Sequence, residues 1–237
     1  METDTMRAFE QVMDRLLDEG GCPWDREQTH ESLKPYLIEE CYEVLDAIDK
    51  KDAAGLCEEL GDVLLQVVFH AKLAEKAGLF TFNDVAAGIA QKMIHRHPHI
   101  FSDATADTPE AVLQNWEQIK REEKKQETAA EALRAVPRNL PALMYASKVV
   151  KKAMQTDKES FPAGEAAERL EAYAVALRTG ETAENTGFVE KIGRILLDLS
   201  YISAILQINP EFALTNAVET YINKFEDIER AQTRDNR

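Results

Sequence analysis

Two acidic clusters stand close together near the start of the chain, Glu39-Glu40-Cys41-Tyr42-Glu43 and Glu58-Glu59-Leu60-Gly61-Asp62. Residues three or four apart share a helix face, so Glu40 with Glu43, and Glu59 with Asp62, form like-charge pairs that destabilise an isolated helix. If the two helices pack antiparallel through a short connection at residues 51–55, the four carboxylates converge. At the edge of a core such a gathering is costly unless a cation compensates it or the pKa values rise. An all-oxygen donor set, with no cysteine or histidine at ligand spacing, suits a hard cation, magnesium first and manganese second. The expected metal ligands are therefore Glu40, Glu43, Glu59 and Asp62. An acid pair on a solvated helix face is ordinary surface in most proteins. Here the acids lie beside apolar stripes, and the second pair opens the most apolar helix of the chain. A di-iron carboxylate bundle fits poorly, because it calls for Glu-x-x-His, and the third residue on is Glu43 or Asp62.

Other chemistry-bearing residues follow. Lys92-Met93-Ile94-His95-Arg96-His97-Pro98-His99 gathers two permanent cations and three histidines at a helix end. Lys92 and Arg96 are four apart and share a face, a spacing suited to phosphate oxygens, although cations at a helix C-terminus also complement its dipole. A histidine zinc site is disfavoured, because alternate residues diverge on a helix and Pro98 breaks the run. Trp24 and Trp116 are the two tryptophans, and either could stack on a nucleobase or pack in a core. Cys22, Cys41 and Cys57 form no CxxC pair and are expected to be reduced, partly buried thiols without chemistry.

The second half of the chain repeats the first at a constant offset of 132 residues, with Glu58–Leu65 against Glu190–Leu197 and Leu37–Glu43 against Arg169–Val175. The apolar positions and the glycine persist while the acids do not. Ala172, Val175, Lys191 and Arg194 stand where Glu40, Glu43, Glu59 and Asp62 stand in the first copy. A cationic pair cannot hold magnesium, which assigns the chemistry to the first half.

Helical periodicity runs nearly throughout, and strand signals are nearly absent. Met6, Phe9, Val12, Met13, Leu16 and Leu17 share one face, stopped by Gly20-Gly21. A loop then carries Cys22-Pro23-Trp24-Asp25. A second helix is expected from about Ser32 to Lys50, with Leu37, Cys41, Val44 and Ile48 as its core stripe. A third runs from about Asp52 to Lys76, apolar nearly all round from Val63 to Phe69 and therefore buried and central. Thr81 or Asn83 caps a fourth ending near His97, and Thr108-Pro109 opens a fifth that carries Trp116. Residues 121–137 read as a charged linker or exposed helix. Further helices are expected near 142–155, 164–178, 186–207 and 211–231.

The fold class expected is all-α, as two tandem helical-bundle units at 1–128 and 138–237, with dimerisation expected because one unit alone would struggle to cover its apolar central helices. A formal net charge of −15 repels nucleic-acid phosphate and anionic membrane, and no apolar span or signal-peptide pattern is found, so a soluble cytoplasmic protein is expected.

Taken in order, these residues resemble the MazG family of nucleoside triphosphate pyrophosphohydrolases. Glu39-Glu40-x-x-Glu43 and Glu59-x-x-Asp62 match the family's acid pattern. Cys22-Pro23-Trp24-Asp25, Gln28-Thr29-His30, Gln66-Val67-Val68-Phe69-His70 and Arg96-His97-Pro98-His99-Ile100-Phe101 resemble its long, two-domain forms over essentially the full length. The resemblance implies magnesium-dependent hydrolysis of a nucleoside triphosphate to the monophosphate and pyrophosphate. It implies Glu40, Glu43, Glu59 and Asp62 as metal ligands, and Glu39 as a supporting carboxylate or water-orienting base. Lys92, His95 and Arg96 would contact phosphates, and Trp116 with Lys120 would lie near the nucleotide. In the long forms the second domain can carry the activity; here its metal positions are lost. Two other readings stay open: a related hydrolase of dUTP or phosphoribosyl-ATP, and a catalytically silent helical module that senses nucleotides or binds a protein.

Overall fold

The computed structural model of the protein describes residues 5–124, 128–156, 163–179 and 188–235, and among these every regular element is an α-helix. None of the described helices is long and apolar enough to cross a membrane. The chain divides into two compact units, Met1–Lys120 and Arg121–Arg237.

In the first unit, α1 (Thr5–Leu17) buries Met13 and Leu17, with Met6, Phe9 and Leu16 against the same core. Val12, expected on this face, is instead exposed. The chain leaves α1 through Gly21, where a Cβ would lie 2.2 Å from the Leu16 carbonyl oxygen. That same oxygen accepts the Cys22 N–H at 2.8 Å, so the turn closes only around a residue with no side chain. Residues expected as a loop form the one-turn helix α2 (Pro23–Arg26), begun by a proline whose missing N–H is no loss at a helix start.

Helices α3 (Lys34–Lys50) and α4 (Ala53–Lys76) carry the acidic clusters. Their two-residue connection is held tightly. Lys51, at φ 57°, takes the left-handed cap, Asp52 N–H bonds to Ala47 O at 2.9 Å, and Lys51 N–H bonds to Ile48 O at 3.0 Å. Asp52 then caps α4, its Oδ1 accepting from the N–H groups of Ala54 and Gly55 at 3.1 Å each. The inward line of α3 runs through Leu33, Leu37, Glu40, Val44 and Ala47, of which Leu33 and Ala47 are buried. The expected stripe was therefore half right. Cys41 and Ile48 are exposed because the buried line follows the 33-37-40-44-47 register, which turns both of them outward. Cys57 is likewise exposed and only Cys22 is half-buried, so two of the three thiols lie further out than expected.

Expected to be buried and central from Val63 to Phe69, α4 is exposed within that span at Leu64. Gln66, Val68, Phe69, Ala71, Lys72 and Ala74 are buried, whereas Leu60 and Leu64 remain exposed. Helices α1, α3 and α5 pack on α4 and cover only part of its circumference. Lys72 lies against α1, where its ammonium meets Asp14 at 2.8 Å, Glu75 at 3.1 Å and Glu10 at 3.7 Å. Burial alone would lower its pKa, but the hydrogen bonds and charges of Asp14 and Glu75 together outweigh burial and raise it. Thr81 and Asp84 form a reciprocal capping box at the start of α5 (Phe82–Arg96). Pro98 then opens the short α6 (Pro98–Phe101), and Thr108 caps α7 (Pro109–Lys124).

The second unit contains α8 (Ala129–Arg134), α9 (Ala142–Thr156), α10 (Ala163–Thr179), α11 (Phe188–Ile205) and α12 (Pro210–Asp235). Its core gathers Val150, Ala166, Tyr201 and Ala204. Residues 186 and 187, where a helix was expected to begin, lie outside the described residues, as do 125–127 of the expected linker. Arg169 of α10 donates to the buried Asp198 of α11 through Nη2 at 2.7 Å and Nε at 3.0 Å.

Leu33, 1% exposed, plugs the start of α3 into the core formed by Met13, Leu17, Val68 and Phe69. Leu33→Ala is expected to destabilise the protein by about 2–5 kcal/mol, read as a lower urea midpoint. An unchanged midpoint would show that α3 does not depend on this anchor.

Candidate active site

The α3–α4 turn brings the acids of the two helices face to face. Glu40, Glu43 and Glu59 each offer a carboxylate oxygen, and those three oxygens lie within 4.8 Å of one another. Asp62 falls outside this tight group, yet its charge is the largest of those acting on Glu40. Burial first, then Asp62, Glu43, Glu59 and Glu39, push the Glu40 carboxyl above its ordinary value. Glu59 is raised as well, by burial first, then by the charge of Glu43 and a hydrogen bond with it, with Glu58 and Asp62 adding to the effect. Glu40 stands on the buried line of α3, whereas Glu39 and Glu43 are exposed.

The donor set fits a hard divalent cation. It consists of oxygen atoms only, and Glu40 and Glu59 are raised by burial and by the negative charge of their neighbours, which a cation would offset. One turn beyond Asp62, Gln66 is 5% exposed and its Oε1 has no hydrogen-bond partner. Sequence reasoning passed over Gln66; a polar residue inside an otherwise apolar helical run was the available signal.

The other residues named from sequence fall into separate groups. Lys92, His95 and Arg96 occupy the last two turns of α5. The Arg96 guanidinium lies over the Trp116 ring, 5.3 Å from its centroid, and His97 meets the same indole nearly edge-on, with centroids 4.9 Å apart. His97 is held in turn by a 2.6 Å hydrogen bond between Nδ1 and the Met93 carbonyl. Lys120 pairs with Glu117 at 3.2 Å, one turn along α7 from Trp116. Trp24 is half exposed, and its ring meets Tyr36 edge-on at 5.8 Å. The chemistry of the loop before α3 was also missed: His30 and His70 touch through their Nδ1 atoms at 2.8 Å. No periodicity links residues forty positions apart, so the motifs Gln28-Thr29-His30 and Gln66-Val67-Val68-Phe69-His70 were its only trace.

In the second unit, Ala172 and Val175 lie on α10 and Lys191 and Arg194 on α11, all four exposed. None of them is a carboxylate.

Comparison with known proteins places these residues in context. A family model described as the MazG nucleotide pyrophosphohydrolase domain matches residues 28–101, a segment that includes both acidic clusters and the end of α5. A nucleoside triphosphate pyrophosphohydrolase of Escherichia coli K12 is 40% identical over 92% of this chain and 85% of its own length. One from Thermotoga maritima, named a nucleoside triphosphate pyrophosphohydrolase/pyrophosphatase MazG, is 38% identical over 94% of this chain and 85% of its length. A nucleoside triphosphate pyrophosphohydrolase of Mycolicibacterium smegmatis is 43% identical over 61% of this chain and 44% of its own.

An acid whose pKa is raised on folding favours the folded state while protonated, and that contribution is lost as pH rises through the raised value. For Glu40 and Glu59 the metal-free protein therefore carries a penalty at neutral pH that is absent in acid. Glu59→Gln is expected to raise the thermal midpoint of the metal-free protein at neutral pH. It is also expected to shrink the upward shift that millimolar magnesium gives the wild type. Equal midpoints without metal and equal shifts with it would contradict this account of the cluster.

Proposed function

Because the chain belongs to the MazG family of nucleotide pyrophosphohydrolases, we propose that it hydrolyses nucleoside triphosphates, ribo or deoxy, to the monophosphate and pyrophosphate. In this reading the reaction depends on magnesium and occurs at the acidic cluster of the first unit. The observation that carries it is the convergence of Glu40, Glu43 and Glu59 within the segment matched by the family model.

Glu40, Glu43, Glu59 and Asp62 would hold the ion, with manganese as a substitute of similar oxygen preference. When bound, the ion shields the triphosphate charge and lowers the pKa of a coordinated water. Glu39, adjacent to Glu40 and exposed, orients the attacking water or accepts its proton. Lys92 and Arg96, one turn apart on α5, grip phosphate oxygens with His95 beside them. Arg96 lies over Trp116, which holds the guanidinium in place beside an indole that would stack on the base. Lys120 sits one turn further along α7, and exposed Trp24 offers a second stacking surface.

The second unit, with Lys191 and Arg194 where the first has Glu59 and Asp62, serves as a packing or dimerisation partner rather than a second active site. A homodimer is part of the same reading. Ile38 and Tyr42 of α3 and Leu60 and Leu64 of α4 give these helices a second, exposed apolar face. A net charge of −15 favours free nucleotides gripped at a local cation cluster over nucleic acid or anionic lipid, in a protein working in the cytoplasm.

The test is pyrophosphate release from a panel of NTPs and dNTPs, dUTP included, with and without magnesium. Glu59→Ala is expected to lower turnover by more than about 100-fold, beyond the loss typical of an outer-shell partner, while the helical circular dichroism persists. Arg194→Ala is expected to leave turnover unchanged. A fully active Glu59→Ala protein would overturn the site, and silence on every nucleotide would leave a nucleotide-sensing module in place of an enzyme.

A further inference from the structure

His30, in the turn before α3, and His70, on α4, face each other through Nδ1 atoms 2.8 Å apart. Their ring planes agree within 9° and their centroids are 5.1 Å apart. The centroid distance exceeds the nitrogen–nitrogen distance by about the width of a ring. The imidazoles therefore lie edge to edge in one plane, in line with a hydrogen bond, and not face to face as in a stack. Such a contact holds a single proton: one Nδ1–H donates, and the other Nδ1 accepts through its lone pair. A first added proton can settle on the outer nitrogen of the donor ring and leave the bond intact, now charge-assisted. A second must take the accepting lone pair, and two N–H groups then confront each other.

The surroundings make this contact a fastening point. Ser32 Oγ donates to Gln28 Oε1 at 2.8 Å, Thr29 N–H to Ser32 Oγ at 2.9 Å, and Ser32 N–H to Thr29 Oγ1 at 3.1 Å, so His30 is presented by a turn with its own internal bonds. Leu33 follows directly, buried against Val68 and Phe69 beside His70. Helices α3 and α4 are thus pinned at one end by the Lys51–Asp52 turn and at the other by Leu33 with the histidine pair. Glu40, Glu43, Glu59 and Asp62 lie between the two pins.

We propose that His30 and His70 form a one-proton clasp that positions α3 against α4, and through them the acidic cluster, and that binding a second proton opens it. The two histidines are positioning residues. Only the consequence for turnover rests on the function proposed above.

Glu31 and Lys34 flank His30 in sequence and are exposed. Glu10 and Asp14 of α1 hold Lys72, and Glu40 and Glu43 of α3 meet Glu59 and Asp62, two turns or more from His70. On α5, Asp84 is bound to Thr81 and Arg96 lies on Trp116, with Lys92 and His95 in the same last turns. Burial first, and then the charge of His30, lower the His70 pKa below the ordinary histidine value. With the pKa depressed on folding, the clasp's contribution is complete above the ordinary histidine value and is lost as pH falls through the lowered one.

The experiment compares the full chain with His30→Asn, whose amide can donate to His70 Nδ1 or, flipped, accept from it, and with His30→Phe, which does neither. Long-range nitrogen–proton NMR of the imidazoles and thermal melting are followed from weakly basic to acidic pH without metal or substrate. Pyrophosphate release is followed separately over the same range. For the wild type one shared Nδ1 proton is expected, with a melting midpoint that falls on acidification below the ordinary histidine range. His30→Asn is expected to restore the neutral midpoint and flatten the acid fall, while His30→Phe melts lower at every pH. On acidification wild-type turnover is expected to drop about tenfold further than that of His30→Asn, a difference of about 1.4 kcal/mol. Two imidazoles titrating independently at the ordinary value, or superimposable melting profiles for wild type and His30→Asn, would overturn the clasp. A protein silent on nucleotides that still shows the shared proton and the acid fall would remove the enzymatic reading and leave the clasp standing.

Discussion

Repulsion among carboxylates at the α3–α4 seam is the constraint around which the first unit is arranged. A helix pair joined by two residues has no freedom to slide, so acids placed at these positions must meet. Glu40 is on the buried line of α3, where an alanine or leucine would pack without penalty, and Glu59 is close enough to Glu43 to share a hydrogen bond with it. Burial first, and then the converging like charges, hold both carboxyls above their ordinary values. A fold can keep such a seam only if the rest of the interface is over-determined. The capped turn at Lys51–Asp52, the Leu33 plug and the Lys72 cluster against α1 supply that surplus.

The second unit handles its corresponding seam in the opposite way. Arg169 on α10 reaches a buried Asp198 on α11 with two hydrogen bonds, and the charge is balanced within the protein. At the repeat offset these positions are Leu37 and Gln66 in the first unit, where the glutamine oxygen is buried and unpartnered instead. With Asp198 buried, the bridge contributes orientation more than free energy, since desolvating the carboxylate offsets much of the attraction. One seam is thus closed upon itself, while the other is left with negative charge in excess. That asymmetry, more than the presence of acids, separates a packing interface from one that can take a cation.

Much of this was legible in the sequence, because helical periodicity and capping chemistry are local. The end of α3 at Lys50, the start of α4 near Asp52, Thr81 as one of two capping candidates for α5 and the Thr108-Pro109 start of α7 were all readable from side-chain type and spacing. The inward face of α3 was not. Apolar residues occur on two of its faces, Leu33-Leu37-Val44-Ala47 and Ile38-Cys41-Tyr42-Ile48, and a helix in isolation gives no reason to bury one rather than the other. The choice is made by Leu33, whose position just before α3 places it in the core of α1 and α4. The pairings of Arg96 with Trp116, Trp24 with Tyr36 and His30 with His70 were unreadable for a related reason: each joins separate elements and depends on how those elements pack.

Stability and chemistry are consequently divided along the same two helices. The ends of the α3–α4 pair hold the fold through a left-handed cap, a buried leucine and a histidine contact, while the middle holds like charges that oppose it. Replacing a middle acid by a neutral isostere relieves repulsion and leaves the pinned ends untouched, so a gain in stability there costs the site its charge, the usual trade between the two properties. Loosening an end does the reverse, since it leaves every carboxylate in place and removes what forces them together. Convergence of the acids is therefore a property of the fastened pair and not of the acidic motif alone. The same spacing on two helices free to drift apart would relax toward solvent, because separating like charges is always downhill when nothing holds them.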